Sequence, residues 1–351
     1  MVIQYKCPGC GADMVFNSQT GRLHCDSCGY NEEIENYSAE DFQEFEEHFH
    51  SSTFEGDEVN QYQCNNCGAI LLTDKDTTAT TCSFCGAPVI LGDRLSGALA
   101  PSKVIPFSIS KNEAEAAFKK WCHHGFLMPR SFKQADRIKS LTGIYVPFWL
   151  YDVQGQGEAI AHCTRIHTHD EGDTIVTKTN HFDVYRKVDL RYNNIPADAS
   201  EKMPDDLMDK LEPFDYNNMK DFNTPYLAGF ISEKYNYTDR EMFPRVQQRV
   251  TRYIDDYVSG TIMGYSTKNI INHDYRTRQI NAEYVLFPVW MVYYDYDHSG
   301  YTFAMNGQTG KIAGKPPISI GKAAGGASLV TLILFIICRI ITVLMGGPVL
   351  W

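Results

Sequence analysis

Eight of the 11 cysteines in this 351-residue chain fall into four C-x-x-C pairs, and the spacing of those pairs is that of metal ligands. Cys7, Cys10, Cys25 and Cys28 make one quartet; Cys64, Cys67, Cys82 and Cys85 make a second. In both, fourteen residues separate the inner cysteines, and a glycine follows each second cysteine (Gly11, Gly29, Gly68, Gly86). A C-x-x-C pair points two thiolates at one ion, and the glycine after it can take the left-handed conformation such a knuckle needs. Two knuckles joined by a β-hairpin of this length close a tetrahedral four-sulfur site, the geometry of a zinc ribbon. Four sulfur ligands leave no open position for a substrate water, so two structural Zn2+ ions per chain are expected. A rubredoxin-like iron centre is expected to have a longer gap between pairs. Redox-active dithiols account for single C-x-x-C motifs better than for four in register.

The remaining donor-type residues are less organised. His162, Cys163, His167, His169 and Asp170 gather beside the turn residues Glu171-Gly172-Asp173. Histidines at alternating strand positions share a face, but no distant ligand accompanies them, and a solvated hairpin tip is the expectation. No catalytic residue is assigned. Cys122, Cys163 and Cys338 are scattered. Cysteines used this way suit a reducing compartment, and Met1 to Cys10 holds no apolar run resembling a signal peptide, so the cysteine-rich end is expected in the cytoplasm.

Charge discriminates between the functions open to such modules. The net charge is −11, and residues 1–92 hold three basic residues (Lys6, Arg22, Lys75) against fifteen acidic ones. Nucleic-acid binding draws most of its affinity from Lys and Arg on phosphates, so this head argues against it and for protein docking.

The elements that must position the quartets follow from periodicity. Between the modules, Ser38 and Asp41 precede Phe42, Phe45 and Phe49, the spacing of a short amphipathic helix with an acidic outer face. Leu95 to Pro106 reads as a linker, and Ser110-Lys-Asn-Glu113 as a capping box for a helix ending near Gly125. Ile144 to Tyr151 and Phe287 to Tyr293 are two aromatic strands at a constant offset, with Pro147 matching Pro288 and Trp149 matching Trp290. This points to an internally duplicated β-domain, with each proline at a strand start or sheet edge and the tryptophans in the core. Glu158 to His167 and Thr174 to Tyr185 alternate as strands. Ala199 to Tyr237 reads as helix and loop, including Pro204 to Leu211. Thr238-Asp-Arg-Glu241 caps a helix carrying Val246, Val250, Tyr253, Ile254 and Tyr257, with Pro244 expected in or near its first turn. Strands then resume through Ile262, Ile271 and Ile280, and Asp297-His-Ser-Gly300 and Asn306 to Gly310 supply turns.

Residues 323–345 contain one charge, Arg339, in 23 residues, enough for a helix of about 34 Å that crosses a bilayer. Lys311, Lys315 and Lys322 precede it, placing positive charge on the presumed cytoplasmic side, and the chain stops soon after: the pattern of a tail anchor. Arg339 in mid-bilayer would cost on the order of 2.5–3.5 kcal/mol unless it snorkels to the far interface or meets an acidic partner. The expected class is α+β, in six parts: 1–30 first zinc ribbon, 31–60 acidic helical linker, 61–92 second zinc ribbon, 93–314 β-rich domain with several helices, 315–322 basic juxtamembrane linker, and 323–345 transmembrane helix.

The ribbons with Thr81-Cys-Ser-Phe-Cys-Gly86, the block Ala100 to Ser108, the strand Ile144 to Trp149 and Phe303-Ala-Met-Asn-Gly-Gln-Thr-Gly-Lys311 resemble the zinc-ribbon membrane proteins of Gram-positive bacteria of the YdjG type, whose ribbons are also described as transcription-factor-IIB-type. The resemblance spans nearly the whole chain. It implies a role beside an SPFH (band-7, flotillin-like) protein and a phage-shock-protein-A homologue, holding them at the membrane in envelope stress, and carries over the eight cysteines as metal ligands. The expected function is a non-enzymatic, tail-anchored adaptor whose β-domain spaces the ribbons from the bilayer. The alternative is a nucleic-acid-binding or transcription- or replication-associated factor.

Overall fold

The computed structural model describes residues 2–34, 59–95, 100–125, 127–129, 132, 141–296 and 299–344. The acidic helix expected at 38–49, part of the 95–106 linker and the turn at 297–298 lie outside them.

The first cysteine module holds β1 (Val2–Ile3), β2 (Val15–Asn17), β3 (Arg22–His24) and β4 (Asn31–Glu32); the second holds β5 (Val59–Gln63), β6 (Ile70–Asp74), β7 (Thr77–Thr81) and β8 (Pro88–Leu91). β9 (Lys103–Val104) and α1 (Lys111–His124) follow, then a hairpin of two long strands, β10 (Leu141–Glu171) and β11 (Thr174–Asp198). Next come α2 (Asp205–Leu211), β12 (Lys220–Asp221), β13 (Ile231–Glu233), α3 (Asp239–Thr261), β14 (Thr267–Tyr296), β15 (Ser299–Asn306), β16 (Ile312–Gly314) and the apolar helix α4 (Ile320–Leu344). The fold is α+β, organised by one eleven-stranded sheet.

Both capping boxes form. The Glu113 N–H donates to Ser110 Oγ and the Ser110 N–H to Glu113 Oε2, and Glu241 and Thr238 repeat the exchange, satisfying donors that a helix start leaves orphaned. α3 buries Met242, Val246, Val250, Ile254 and Val258 on the sheet; Val258 takes the place expected for Tyr257, which is exposed. Pro244 lies one turn deeper than expected, where its missing N–H forfeits a bond to the Arg240 carbonyl. Ile262 is the buried C-cap of α3 and not a strand residue.

The two aromatic strands are direct neighbours, antiparallel, with Pro147 opposite Leu286 and Pro288 opposite Tyr145. Neither proline sits at a strand start or a sheet edge. β10 has β13 as a parallel neighbour at Ile144 and Tyr145 and β11 as an antiparallel one from Phe148; β14 has β9 in parallel at Val285 and Leu286 and β15 antiparallel from Val289. Each proline thus falls where one neighbouring strand hands over to another and the ladder asks for no N–H, and the matching hand-overs make the duplication visible in the topology. Trp149 and Trp290 belong to the packing: their indole N–H groups donate to the carbonyls of Tyr237 and Ile109 at 2.8 and 3.1 Å.

The sheet also decides where the modules lie. β7 pairs with β8 on one side and with β13 on the other, at Ser232–Ala79, so the second module is stitched into the sheet row that contains Tyr145. Val15 and Phe16 of the first module lie against the loop at 228–230, with the Phe16 N–H donating to Ala228 O at 3.0 Å. From the same end, Gly314 pairs with Phe303, Phe303 with Val292 and Val292 with Leu141, and the chain runs on into α4, anchored by the Ser319 N–H on Leu127 O and Lys322 Nζ on Met128 O. The β-rich region therefore does not stand between the modules and the apolar helix. Modules and helix share one end, and the β10–β11 hairpin projects from it the other way.

Candidate metal centres and apolar helix

Each quartet is built by two knuckles of the same make. In the first module the Gly11 N–H donates to Cys7 O and the Gly29 N–H to Cys25 O, both at 2.8 Å; Gly68 and Gly86 do the same on Cys64 and Cys82 at 2.8 and 2.9 Å. The four glycines have φ between 73° and 76°, the left-handed turn that frees the second thiol of each pair to face the first. A second bond closes each knuckle, from the first cysteine's N–H to the carbonyls of Ala12, Tyr30, Ala69 and Ala87.

These turns bring the sulfurs together across the hairpins. Cys7 Sγ lies 3.5 Å from Cys28 Sγ and Cys10 Sγ 3.5 Å from Cys25 Sγ; in the second module Cys64–Cys85 and Cys67–Cys82 are 3.7 and 3.8 Å apart. All four ligand atoms of each group lie within 4.8 Å of one another. A tetrahedral ion with sulfur at about 2.3 Å sets its ligands about 3.8 Å apart, so both groups fit one ion each. In each group the first cysteine of a pair is buried and the second exposed, so the centre faces the core on one side and solvent on the other; four thiolates fill the positions of a tetrahedral ion.

Thiols this close cannot all ionise without a cation. The Cys28 N–H pulls the Cys25 thiol down to about 7; Cys28 itself gains from the Tyr30 N–H, but the thiols of Cys7 and Cys10 outweigh that and push it up to about 12. In the second module the Asn66 side chain brings Cys85 to about 6. Cys67 gains from the Ala69 N–H, but burial and Cys85 carry it up to about 12. A bound divalent ion removes this conflict by deprotonating all four.

The histidine group does not converge. His162 donates from Nδ1 to Asp183 at 3.0 Å and its Nε2 lies 3.1 Å from His181 Nδ1 on the open face of β10, Cys163 is buried beneath α3 on the other, and His169 donates from Nε2 to Glu171 at 3.0 Å near the hairpin tip. Among the described residues only the two cysteine groups could hold a metal. What sequence reasoning missed is a polar junction: Lys202 joins Asp74 of the second module to Glu233 of β13 at 2.6 and 3.0 Å, and Lys234 N–H donates to Asp76 O. No motif marks it, because its members come from three distant stretches.

α4 is the one helix, among the described residues, long and apolar enough to cross a membrane, over Ile320–Ile341, and none of that span is buried. Arg339 lies about 28 Å along the axis from Ile320, in the second half of α4, which runs on to Leu344.

Two four-thiol centres at one end of an α+β sheet, with an apolar helix leaving the same end, define a ribbon-bearing protein with one candidate membrane span among the described residues. The chain is 53% identical over 347 residues to the uncharacterized protein YdjG of Bacillus subtilis (strain 168), covering 99% of each chain, and it belongs to the YdjG family. No family model matches it, and no solved structure does.

Proposed function

We propose that this protein is a non-enzymatic membrane adaptor, anchored by α4 with its head in the cytoplasm, whose two zinc ribbons recruit protein partners to the bilayer. The observation that carries the reading is the placement of both four-thiol centres at the end from which α4 departs. A closed four-cysteine site holds shape and performs no chemistry on a substrate. Modules held beside a membrane segment by a shared sheet present a fixed surface close to the lipid. Resemblance to YdjG-type proteins supplies the partners: an SPFH (band-7) protein and a phage-shock-protein-A homologue, gathered in the response to envelope stress. The charge of residues 1–92, three basic against fifteen acidic, opposes a nucleic-acid role.

The test is recovery of those two proteins with the full-length chain from solubilised membranes. Recovery with the wild type and its loss in Cys64→Ser/Cys67→Ser supports the reading. Equal recovery by the variant removes the ribbons from recruitment, and zinc absent from the purified wild type removes the ribbons altogether.

A further inference from the structure

The cysteine modules are two copies of one pattern 57 residues apart, and the first copy shows what is unusual about the second. On the outer face of the first, Lys6 stands opposite Asp13 with Nζ and Oδ1 2.5 Å apart, Val15 lies against Gly229, and the second knuckle reads Cys25-Asp26-Ser27-Cys28. At the matching places the second has Gln63 opposite Ile70, then Leu72, and the knuckle Cys82-Ser83-Phe84-Cys85. Ile70, Leu72 and Phe84 are 60%, 65% and 74% exposed. Within β6, Leu71 and Thr73 point inward while Ile70 and Leu72 point out, so this is the regular outer face of a formed strand. β6 pairs with β5 alone among the described residues; on its other edge the Asp74 carbonyl accepts from Arg94 Nη1 at 2.6 Å, and no strand pairs there at Ile70 and Leu72. Single exposed apolar side chains are ordinary; three on one small module, where the sister copy has an ion-paired Asp, a packed Val and a Ser, mark an interaction surface.

Charge selects what fits there. The chain enters β5 at Val59, opposite Asp74 of β6, from a stretch (31–58) that holds eleven acidic residues and no Lys or Arg, and residues 1–92 as a whole hold three basic residues against fifteen acidic ones. Such a field repels acidic partners and draws basic ones. Strand addition on an open edge takes main-chain hydrogen bonds from the edge and specificity from alternate side chains, here Ile70 and Leu72.

We infer that Ile70, Leu72 and Phe84 form the docking surface for a protein partner that offers an extended apolar segment flanked by Lys or Arg, laid along β6. The inference rests on the adaptor reading and names the part of the head that recruits.

Photocrosslinking from the full-length chain in native membranes tests it. A photoreactive amino acid replaces Phe84, or Ser27 at the matching place in the first module, or Tyr185 on the distant hairpin, and the captured peptides are sequenced. The captured segment is then synthesised and titrated against the purified full chain in detergent micelles. Expected is capture at 84 and not at 27 of a partner segment with an apolar run and adjacent Lys or Arg. Its peptide should bind more weakly as salt rises and about tenfold or more weakly to Ile70→Asp/Phe84→Ser, which borrows the first module's residues. Wild-type metal content certifies that variant; if it loses metal, Leu72→Gln takes its place. Capture of partners only at 27 or 185 overturns the docking surface while the adaptor reading stands. Capture of no partner at any position overturns both. Capture at 84 of nucleic acid, of a second copy or of the chain's own residues 35–58 overturns the inference, as does a peptide whose affinity the variants leave unchanged.

Discussion

Asp198 is 1% exposed, and among the described residues its Oδ2 has no hydrogen-bond partner while Oδ1 accepts from the Ser200 N–H at 3.0 Å. Burial pushes its carboxyl up to about 7 against the pull of that N–H, with Asp205 and Asp209 adding to the rise and Arg245 opposing it. An unfolded carboxyl titrates near 4, so the folded state prefers the proton. Stability from this group is therefore fullest below pH ~4 and is lost as pH climbs toward 7, where the charge must be buried. The duplicated topology supplies the remedy: Asp198 pairs with Phe148 as Asn306 pairs with Val289, and buried Asn306 donates from Nδ2 to Leu211 O and Pro213 O while accepting from the Gln308 N–H. Asp198→Asn should raise the thermal midpoint of the solubilised chain at pH 8, by a stabilisation of roughly 2–4 kcal/mol that shrinks toward zero near pH 4. A gain independent of pH would contradict this account. At the metal sites, Cys64→Ser/Cys67→Ser should halve the metal bound per chain and expose β5 and β6 to protease, because ligation and folding of the module are one event; elemental analysis and limited proteolysis read both.

One helix, α3, packs across the long hairpin, and two glycines set how close that helix comes. A Cβ on Gly155 would meet Ile254 Cδ1 at 2.7 Å, and one on Gly157 would meet Tyr275 at 2.9 Å and Ile254 at 3.1 Å. Close approach lets Ile254 and Val250, both fully buried, seal against Val153, Ala159 and Ala161. Ile254→Ala leaves a cavity there and should cost on the order of 2–5 kcal/mol, measured by denaturant unfolding of the solubilised chain. Gly155→Val should cost at least as much by overpacking, with protease cleavage appearing first in α3; a fully resistant α3 in that variant would show that the interface yields more easily than its geometry implies. Beyond α3 the hairpin continues as β10 and β11 alone, since β14 begins opposite Thr164.

At the scale of the molecule, β10 runs 31 residues from the end that holds the modules and α4, a contour of roughly 100 Å at about 3.3 Å per residue. The hairpin tip is the part of β10 most distant along the strand from the end that α4 leaves, and both cysteine modules lie at that end. Deleting residues 320–351 should release the protein from membranes without detergent while leaving metal content unchanged; retention of the truncated chain in the membrane fraction would assign anchoring elsewhere. Arg339, in the second half of α4, should tolerate replacement by Lys, whose long side chain can also reach toward an interface, with no change in membrane fraction.

The sequence by itself determined whatever depends on residues near one another in the chain: the two quartets, whose ligands lie within one hairpin; both capping boxes; the turn at Asn306 to Gly310; the alternation that makes the long strands; and the apolar length of α4. Each is a local pattern with a local physical cause, and none needed a distant partner to be recognised. The first helix pattern, after Ser38, falls on residues that the structure does not describe. The tertiary structure alone decided what depends on which strand lies beside which. It drew β7 into the main sheet through β13, so that the second ribbon sits at the end from which α4 leaves and not beyond a spacer. It placed Pro147 and Pro288 inside central strands by changing their neighbours at those points. It left Ile70, Leu72 and Phe84 uncovered on one of two like modules and buried Asp198 where the sister position holds Asn306. Burial and neighbour identity are set by contacts between residues far apart in the chain, and a single sequence carries no local mark of them.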